Sequence, residues 1–533
     1  MSGSSEPRRL SAAAVACLFI GCAPLDDVVF ETAVIELSEG PLRVREGAGS
    51  LALGLELKLP VERDVTALLE VRGVTAQDDC HDPDYEVVEG TVTWQQGSAV
   101  ADVAIWIGDD DLPETDEVVE LTVTSLRGAT LVGSSSVELV IEDDDRTAII
   151  DANAEFGVRA GSSEDQSAPL QAALDAAREL EPAVVVLAPG DYEVGGIELF
   201  TGTTLSARGA RLRRPPAAPA DNITLRVQHS GSEDSPPTLI EGVSVDGRRD
   251  AQGPYRDLEL EDAHLIALAG DPAAPGRLRA VVEAVRIESG TGDGVAVGPN
   301  SEVALCRIRA HDLWREGVSL HGGGSSMRLR GLDATASSGT TGLWIDGNTP
   351  GYEETRHIDV EIEDARFATG DIEIDLAEDS RVVLRRVTMT APPFRLLALD
   401  SSVRISDSVL QLGIPTERHN NWTMPHDVEV TDSTLIASER QDEAEQTPEA
   451  DRVFPMVDVR WQLDPEEPPP EGDHRLSFER CRFELGSDLD ASDTVYAVGS
   501  PAAGGVVTIR SSRLGPGLSD WFAPQCEGCE LAP

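Results

Sequence analysis

Apolar and polar residues alternate in a series of short segments between residues 28 and 146. The segments read SLALGLELKL, TALLEVRGV, GTVTWQQG, AVADVAIWI, VVELTVTSL and SSVELVIE. A period of two is typical of strands that bury one face, and the Gly, Asp and Ser residues between the segments favour turns. Six or seven strands at this spacing predict a β-sandwich over residues 28–146.

A helical period replaces the alternation after Thr147. The segment SAPLQAALDAAREL places five apolar residues on one face of a helix, namely Leu170, Ala173, Leu174, Ala177 and Leu180. Short apolar segments follow, beginning with AVVVLAPGDYEVGGIELF. The chain therefore starts a second domain here, with a helix ahead of a new series of strands.

The second domain contains a repeat. VRIESGTGDGVAVG, IRAHDLWREGVSLHG and LDATASSGTTGLWIDG align on Gly294, Gly317 and Gly342, which are 23 and 25 residues apart. A repeat of this length predicts a solenoid in which each coil buries its apolar residues against its neighbours. Further strand segments predict coils as far as residue 515, followed by a tail over 516–533.

The order of the capping helix, PGDY and the strand ladder resembles the opening of pectate-lyase-superfamily (pectin-lyase-like) proteins. The resemblance implies a right-handed parallel β-helix whose first coil is covered by the helix. We therefore expect an all-β chain, with a β-sandwich followed by a right-handed parallel β-helix over 147–515.

Five motifs of the first domain carry a second resemblance. VREGAGS, DPDYEVVEGTVTW, DDDLPETDEVVELTV, GATLVG and VELVIEDDD are similar, in order and spacing, to the Calx-β domain. In that family carboxylates gather at one tip of the sandwich and bind calcium. The resemblance implies a calcium site at the matching positions, which are Glu46, Asp84, Asp109, Asp110, Glu114, Glu117, Asp143, Asp144 and Asp145.

The chemistry of these side chains suits calcium, which is a hard cation that takes about 6–8 oxygen ligands. The alternative is a solvated acidic loop that binds no ion or binds it weakly. A catalytic role for this cluster is disfavoured, because we find no nucleophile or positioned base beside it in the sequence.

Alignment of the repeats brings several reactive side chains together in the second domain. His321 and Asp346 fall on neighbouring rungs, about 4.8 Å apart, and Asp293 and Glu316 occupy equivalent turn positions. Two carboxylates that close push their pKa values apart, as general acid–base catalysis requires. The candidate catalytic residues are thus Asp293, Arg315, Glu316, His321 and Asp346, with Trp314 and Trp344 as candidate faces for sugar stacking.

A structural explanation competes with catalysis, because Asp before Gly is ordinary in turns. Polygalacturonase-type glycosidases carry Asn-x-Asp, Asp-Asp and Gly-His-Gly on successive coils, where this chain has TGDG, REG and TTG. Asp293 fits the first motif, Glu316 half fits the second, and the third lacks its His. The calcium-binding Asp set of pectate lyases is not recognisable, and a lyase or epimerase that uses Arg315 or His321 remains open.

Two functions follow from this comparison. The departure from the polygalacturonase motifs favours a β-helix surface for glycan binding or adhesion on a calcium-binding protein. The alternative is an enzyme, a lyase, epimerase or glycoside hydrolase, that acts on acidic polysaccharide. The net charge of −53 over 533 residues suits divalent cations and disfavours nucleic acid as a partner, since a polyanion is repelled.

The N-terminal segment RRLSAAAVACLFIGC resembles the signal of bacterial lipoproteins. The resemblance implies cleavage before Cys22 and diacylation of its thiol, with residues 1–27 as signal peptide and tether. The protein would then be held in the cell envelope by its lipid alone. Plain secretion is the alternative. In an exported protein, CEGC near the C-terminus predicts a local disulfide between Cys526 and Cys529 in preference to zinc.

Overall fold

The computed structural model describes most of the chain between residues 33 and 531. The described residues are 33–35, 40–76, 83–87, 90–216, 223–229, 236–252, 263–271, 276–336, 342–347, 357–369, 372–376, 379–390, 394–398, 401–413, 422–423, 427–438, 453–457, 459–460, 474–485, 494–498, 505–514, 526–527 and 530–531. Within them, no helix has both the length and the apolar character needed to cross a membrane. The predictions for residues 1–27, Cys22 and Cys529 lie outside the described residues.

The first domain is a β-sandwich, as the alternation predicts. One sheet has the strand order β2-β10-β8-β4-β6, the other has the order β3-β7-β5, and β1 pairs with β9. The strands are β1 (Ala33–Ile35), β2 (Leu42–Arg45), β3 (Gly49–Glu56), β4 (Val65–Gly73), β5 (Tyr85–Val87), β6 (Thr91–Trp94), β7 (Val100–Ile107), β8 (Glu117–Arg127), β9 (Ala129–Leu131) and β10 (Ser136–Glu142).

The alternating apolar side chains of the two sheets form the core of the sandwich. Trp94 is fully buried there, and its indole Nε1–H donates to the Leu55 carbonyl over 3.0 Å. Burial of this ring without loss of its hydrogen bond fixes the two sheets face to face.

The second domain is a right-handed parallel β-helix with three sheets, which its coils build from short strands. We name them the docking sheet, the middle sheet and the cleft sheet, in the order in which a coil passes through them. The docking sheet contains β11 (Ala148–Asp151), β12 (Ala183–Val186), β15 (Thr203–Ser206), β18 (Thr238–Glu241), β21 (Leu278–Glu283), β24 (Ser301–Cys306), β27 (Ser325–Arg330), β30 (Ile358–Glu363), β33 (Arg381–Arg385), β36 (Ser402–Ser406), β39 (Asp427–Thr431), β43 (His474–Glu479), β46 (Gly505–Arg510) and β48 (Cys526–Glu527).

The other two sheets follow the same parallel ladder. The middle sheet contains β13 (Gly190–Glu193), β16 (Ala210–Arg213), β19 (Ser244–Asp246), β22 (Arg286–Glu288), β25 (Arg309–Leu313), β28 (Asp333–Ala336), β31 (Arg366–Thr369), β34 (Thr388–Met389), β37 (Val409–Gly413), β40 (Thr434–Ser438), β44 (Arg482–Leu485), β47 (Arg513–Leu514) and β49 (Glu530–Leu531). The cleft sheet contains β14 (Ile197–Phe200), β17 (Leu225–Gln228), β20 (Ile266–Ala269), β23 (Val295–Val297), β26 (Val318–His321), β29 (Leu343–Asp346), β32 (Ile372–Leu376), β35 (Phe394–Ala398), β38 (Trp422–Thr423) and β42 (Val459–Arg460). A separate parallel pair joins β41 (Val453–Val457) to β45 (Thr494–Val498).

The inside of the β-helix is one continuous apolar core. The repeat alignment places six residues of the cleft sheet inward, and all six are fully buried: Val295, Val297, Val318, Leu320, Leu343 and Ile345. Each coil stacks these residues on those of the next coil, which is why a single coil would not be stable alone.

The start of the β-helix carries helices α1 (Ala152–Phe156) and α2 (Ser167–Glu179), and α3 (Arg249–Gln252) lies in a later coil. Helix α2 buries Leu170, Ala173, Leu174 and Ala177, as its period predicts. The prediction for Leu180 is wrong: this residue is 45% exposed, because the helix ends at Glu179 and Leu180 forms its C-cap.

The strand ladder extends beyond the predicted boundary at residue 515. Cys526 pairs with Ile509 and Glu530 pairs with Arg513, so residues in the predicted tail add strands to the docking and middle sheets. Strands of two residues leave no alternation in a sequence, which explains why the pattern stops too early.

Candidate functional site

Asp293 and Glu316 occupy the same turn position on neighbouring coils. Each lies two residues before the paired strand residues Val295 and Val318, in the turn that joins the middle sheet to the cleft sheet. His264 holds the corresponding position one coil earlier, because Ile266 pairs with Val295 in the same register. Neighbouring strands are separated by about 4.8 Å, so the fold stacks these three side chains in one row.

Asp293 is the centre of the cluster and is fully buried. Ser319 Oγ donates to Asp293 Oδ2 over 2.6 Å, and His264 Nδ1 lies 3.3 Å from the same oxygen. His321 Nε2 lies 3.8 Å from Oδ2, and Arg315 Nε lies 3.4 Å from Oδ1. A buried carboxylate is tolerated here because donors and positive charges surround it.

The two carboxyl groups are held in opposite protonation states. Burial raises the pKa of Glu316, and the hydrogen bond and negative charge of Asp293 raise it further, to about 9. Burial alone would also raise the pKa of Asp293, but the hydrogen bond from Glu316, the nearby His321 imidazole and the charges of His264 and Arg315 outweigh burial and lower it. At neutral pH Glu316 is therefore a neutral acid beside an ionised Asp293.

An unpaired oxygen supports the same protonation states. Asp293 Oδ1 is buried and has no hydrogen-bond donor among the described residues. The hydrogen bond between Glu316 and Asp293 requires a proton on one of the two carboxyl groups, and Arg315 Nε donates to Glu316 Oε2 over 3.1 Å. The pair thus shares a proton, as two close carboxyl groups must.

The two tryptophans lie near the cluster in different settings. The Trp344 ring stands perpendicular to the His321 ring, with 4.8 Å between the ring centroids. The Arg249 guanidinium lies 5.4 Å from the centroid of the Trp314 ring, in a cation–π arrangement. Trp344 therefore packs against His321, and Trp314 gives one face to Arg249 of α3.

An open cleft of about 490 Å³ lies on the cleft sheet beside this cluster. His264 and His321 line it, together with Arg226, His229 and Asp271. The cleft extends from His321 toward earlier coils. Asp346, which we predicted as a catalytic residue, is the strand partner of His321 on the following coil.

Reasoning from the sequence missed His264 and Ser319. The repeat alignment places Ser319 in a row of outward-facing strand positions, but a Ser on a strand gives no signal of its own. His264 lies in AHLIALAG, where Leu265 stands at the position of the glycine that marks the other repeats. The signal that would have found it is the register, since His264 precedes an apolar strand by the same two residues as Asp293.

The acidic residues of the sandwich gather at one tip, in two groups that could hold a metal ion. In each group one carboxylate oxygen per residue lies within 4.8 Å of the others; the groups are Glu46, Asp144 and Asp145, and Asp84, Glu114 and Glu117. All of these donors are hard oxygens, which fits calcium.

The other three predicted ligands lie in the same region with further roles. Asp110 Oδ1 accepts a hydrogen bond from the Leu112 N–H over 2.7 Å, and Asp143 accepts from the Glu114 N–H over 2.9 Å and from Arg146 Nη1 over 2.7 Å. Asp109 lies against Gly47, where an added Cβ would come within 2.5 Å of Asp109 Oδ1. These bonds shape the tip around the two groups.

Crowding of negative charge at the tip opposes ionisation. Burial, followed by the charges of Asp110, Asp143 and Asp145, raises the pKa of Glu46 to about 8. Burial also raises the pKa of Asp110 to about 7, and burial with the charges of neighbouring aspartates raises the pKa of Asp145 to about 6. A bound divalent cation would remove this repulsion.

The acidic tip docks directly on the β-helix. Leu112 is buried among Leu239, Val281 and Ala304 of the docking sheet. Beside it, Thr204 Oγ donates to the Pro113 carbonyl over 2.5 Å, and Arg279 Nη1 pairs with Asp111 over 2.7 Å. The tip of the sandwich therefore packs against the docking sheet, whereas the cleft lies on the cleft sheet.

Comparison with known proteins gives partial likenesses. No family model matches the chain. Over 94 residues, or 18% of this chain, it is 29% identical to the adhesion G-protein coupled receptor V1 of Danio rerio, and the matched stretch spans 2% of that protein.

Solved structures are similar to this chain over different lengths. The calcium binding domain CBD12 of CALX1.1 is 19% identical, covers 22% of this chain and 50% of its own, and has a TM-score of 0.19. The mannuronan C-5 epimerase AlgE4 A-module of Azotobacter vinelandii is 15% identical, covers 72% and 95%, and has a TM-score of 0.32. The catalytic domain of a GH87 α-1,3-glucanase is 9% identical, covers 91% of both chains, and has a TM-score of 0.35. The fold described above rests on the strand pairing of this chain.

Proposed function

We propose that the β-helix is an enzyme that cleaves glycosidic bonds in polysaccharide, with Glu316 as the proton donor. The observation that carries this proposal is the protonated Glu316 beside the ionised, fully buried Asp293 at the edge of an open cleft. Pairs of carboxyl groups whose environments push their pKa values apart are typical of acid–base sites.

A glycan-binding or adhesive surface, which the sequence favoured, is the second candidate. Such a surface requires side chains that contact a sugar. It gives no reason to bury an ionised aspartate, Asp293, among two histidines and an arginine. The arrangement around Asp293 therefore supports catalysis over binding alone.

In the proposed reaction Glu316 gives its proton to the leaving glycosidic oxygen. Asp293 lies in hydrogen-bond contact with Glu316, closer than the roughly 5–9.5 Å that separates the paired carboxylates of glycosidases. Asp293 is therefore a positioning residue that keeps Glu316 protonated until a substrate arrives. Glu316 is only 7% exposed, so the reacting bond must reach it from the side of the cleft that His264 and His321 line.

His321 is the side chain of the cluster suited to accept a proton, because it both lines the cleft and lies near Asp293. If it takes the proton from water, the reaction is hydrolysis. If it takes the proton from a carbon next to a uronate carboxylate, the reaction is elimination. Both reactions use the same proton donor, and their products distinguish them.

The side chains of the cleft support an acidic polysaccharide as the substrate class. Arg226, His229, His264 and His321 line the cleft together with a single acidic residue, Asp271, among the described lining residues. The guanidinium and imidazole N–H groups offer donors to sugar carboxylates, on a chain whose net charge of −53 otherwise repels polyanions.

For the sandwich we propose calcium binding by the two carboxylate groups of the tip. The hard oxygen donors, their spacing and the repulsion among them support this function. We also propose that a lipid on Cys22 anchors the protein in a bacterial cell envelope, which rests on the N-terminal sequence alone.

The enzyme proposal is tested by incubating the full chain with a panel of acidic and neutral polysaccharides in the presence of calcium. Release of reducing ends without ultraviolet absorbance from unsaturated uronate indicates hydrolysis, and release with that absorbance indicates elimination. No product from any polysaccharide, with binding to one of them, would support the adhesive function and contradict the enzyme.

A further inference from the structure

Two carboxylates of the β-helix face the acidic tip of the sandwich. Glu241 and Glu283 end strands β18 and β21 of the docking sheet, and each is more than nine-tenths buried. Their negative charges, together with that of Asp84, act on Glu114 in the tip. The contact between the domains therefore brings together carboxylates from both.

Arg208 links the two sets of carboxylates. Its Nη2 atom lies 3.4 Å from Glu117 Oε1 in the sandwich and 2.5 Å from Glu241 Oε2 in the β-helix. Glu241 Oε1, by contrast, is buried and has no hydrogen-bond partner among the described residues. A buried carboxylate oxygen without a donor is energetically unfavourable. Glu241 Oε1 therefore needs a partner that the described side chains do not provide.

The balance of charge at this contact is negative. Five carboxylates meet here, from Asp84, Glu114, Glu117, Glu241 and Glu283. In the part of the chain that the structure describes, Arg208 pairs with Glu117 and Glu241, and Arg307 pairs with Glu283. Burial of the remaining negative charge is unfavourable, so these carboxyls either hold protons or pair with a further cation.

The contact also has room for an ion and its water ligands. A cavity of about 500 Å³ lies beside this contact. It is lined by Thr75 and Tyr85 of the sandwich, by Glu241 and Glu283 of the β-helix, and by the guanidinium groups of Arg72, Arg208 and Arg307. Calcium keeps water among its ligands in many sites, so an open cavity suits it.

We propose that Glu241 of the β-helix takes part in the cation site of Asp84, Glu114 and Glu117, so that one divalent cation is shared by the two domains. This inference rests on the proposed calcium binding of the tip and adds a ligand from the other domain. The shared cation joins the sandwich to the docking sheet and makes their contact depend on calcium.

The test is calorimetric titration of calcium chloride into the full chain after treatment with a chelator, for the wild type, Glu241→Gln and Glu429→Gln. Glu429 lies exposed on the same sheet, far along the β-helix, and serves as the matched control. We expect Glu241→Gln to weaken the affinity for calcium about tenfold or to remove one bound ion, and Glu429→Gln to bind as the wild type does.

A second variant guards against loss of the fold. Glu241→Asp keeps the charge beside Arg208 but shortens the reach of the carboxylate. For each protein we compare the melting temperature with and without calcium. We expect calcium to raise the melting temperature of Glu241→Asp by less than that of the wild type. Wild-type affinity in Glu241→Gln, together with a wild-type rise in melting temperature in Glu241→Asp, would overturn this inference and leave calcium binding by the tip intact. Absence of calcium binding by the wild type would overturn both.

Discussion

Asp293 and Glu316 lie on neighbouring coils at the same turn position, and the Gly294 N–H donates to the Glu316 carbonyl over 2.9 Å. This backbone contact holds the two turns in register, so their carboxyl groups cannot move apart as surface carboxylates do. Because one of them is fully buried among donors, the pair keeps one negative charge and one proton. The fold of the β-helix thus maintains a neutral acid at physiological pH.

We predict that activity falls on the alkaline side as Glu316 loses its proton. Its pKa is raised to about 9, so the acid is protonated below that pH and ionised above it. The kcat/KM for the polysaccharide that the panel identifies should be level at neutral pH and fall about tenfold per pH unit above the pKa of Glu316. A loss centred near about 4.3, the ordinary pKa of glutamate, would contradict this assignment.

Asp293→Asn should move that alkaline limb to lower pH. The hydrogen bond and negative charge of Asp293 raise the pKa of Glu316, and their removal lowers it, by about one unit or more. We expect kcat to fall as well, because Asp293 positions the acid. The pH profile of kcat/KM for Asp293→Asn measures the shift, with Asp359→Asn on the docking sheet as the control. An unchanged alkaline limb would show that Asp293 does not act through Glu316.

Much of the fold follows from the sequence because both domains are periodic. The alternation of apolar and polar residues predicts the strands of the sandwich. The glycines 23 and 25 residues apart predict the register of the coils. That register alone predicts the neighbours Asp293 and Glu316 and the paired residues His321 and Asp346, both of which the strand pairing confirms. A parallel solenoid fixes which residues are neighbours, so a local pattern predicts long-range contacts.

Contacts made by residues outside these periodic patterns could not be predicted in this way. Leu112 is a single apolar residue among acidic ones, and nothing in its surroundings indicates that it enters the docking sheet. Arg249 reaches Trp314 from a short helix inserted between strands, outside the repeat. The relation between the domains and the settings of individual rings depend on tertiary packing that no single segment encodes.

Leu112→Ala should loosen the sandwich from the β-helix. Leu112 is 4% exposed and packs among three apolar side chains of the docking sheet, so its truncation leaves a cavity. We expect the free energy of unfolding to fall by about 2 kcal/mol or more in denaturant titrations of the full chain. Leu68→Ala, at a residue that is 51% exposed on the sandwich, should change it by less than about 0.5 kcal/mol. Equal effects of the two variants would argue against docking through Leu112.

Removal of calcium should expose the joint between the domains to proteases. Arg146 holds this joint to the tip, with Nη2 2.5 Å from Asp116 and Nη1 2.8 Å from the Glu114 carbonyl. Without a cation the carboxylates of the tip repel one another, and we expect cleavage around residues 142–150 to increase when a chelator is added. Mass spectrometry of the fragments locates the cuts. Identical digestion with and without calcium would contradict a structural role for the ion.

Glu316→Gln tests the central claim most directly. Glutamine keeps the shape of the neutral acid and a hydrogen-bond donor toward Asp293, but it has no proton to give to a leaving oxygen. The measurement is product release from the substrate polysaccharide by the wild type, Glu316→Gln and the docking-sheet control Glu361→Gln, each checked for an unchanged melting temperature. The account predicts a loss of about 10²–10⁴-fold for Glu316→Gln alone. Product release by Glu316→Gln at the wild-type rate would contradict it.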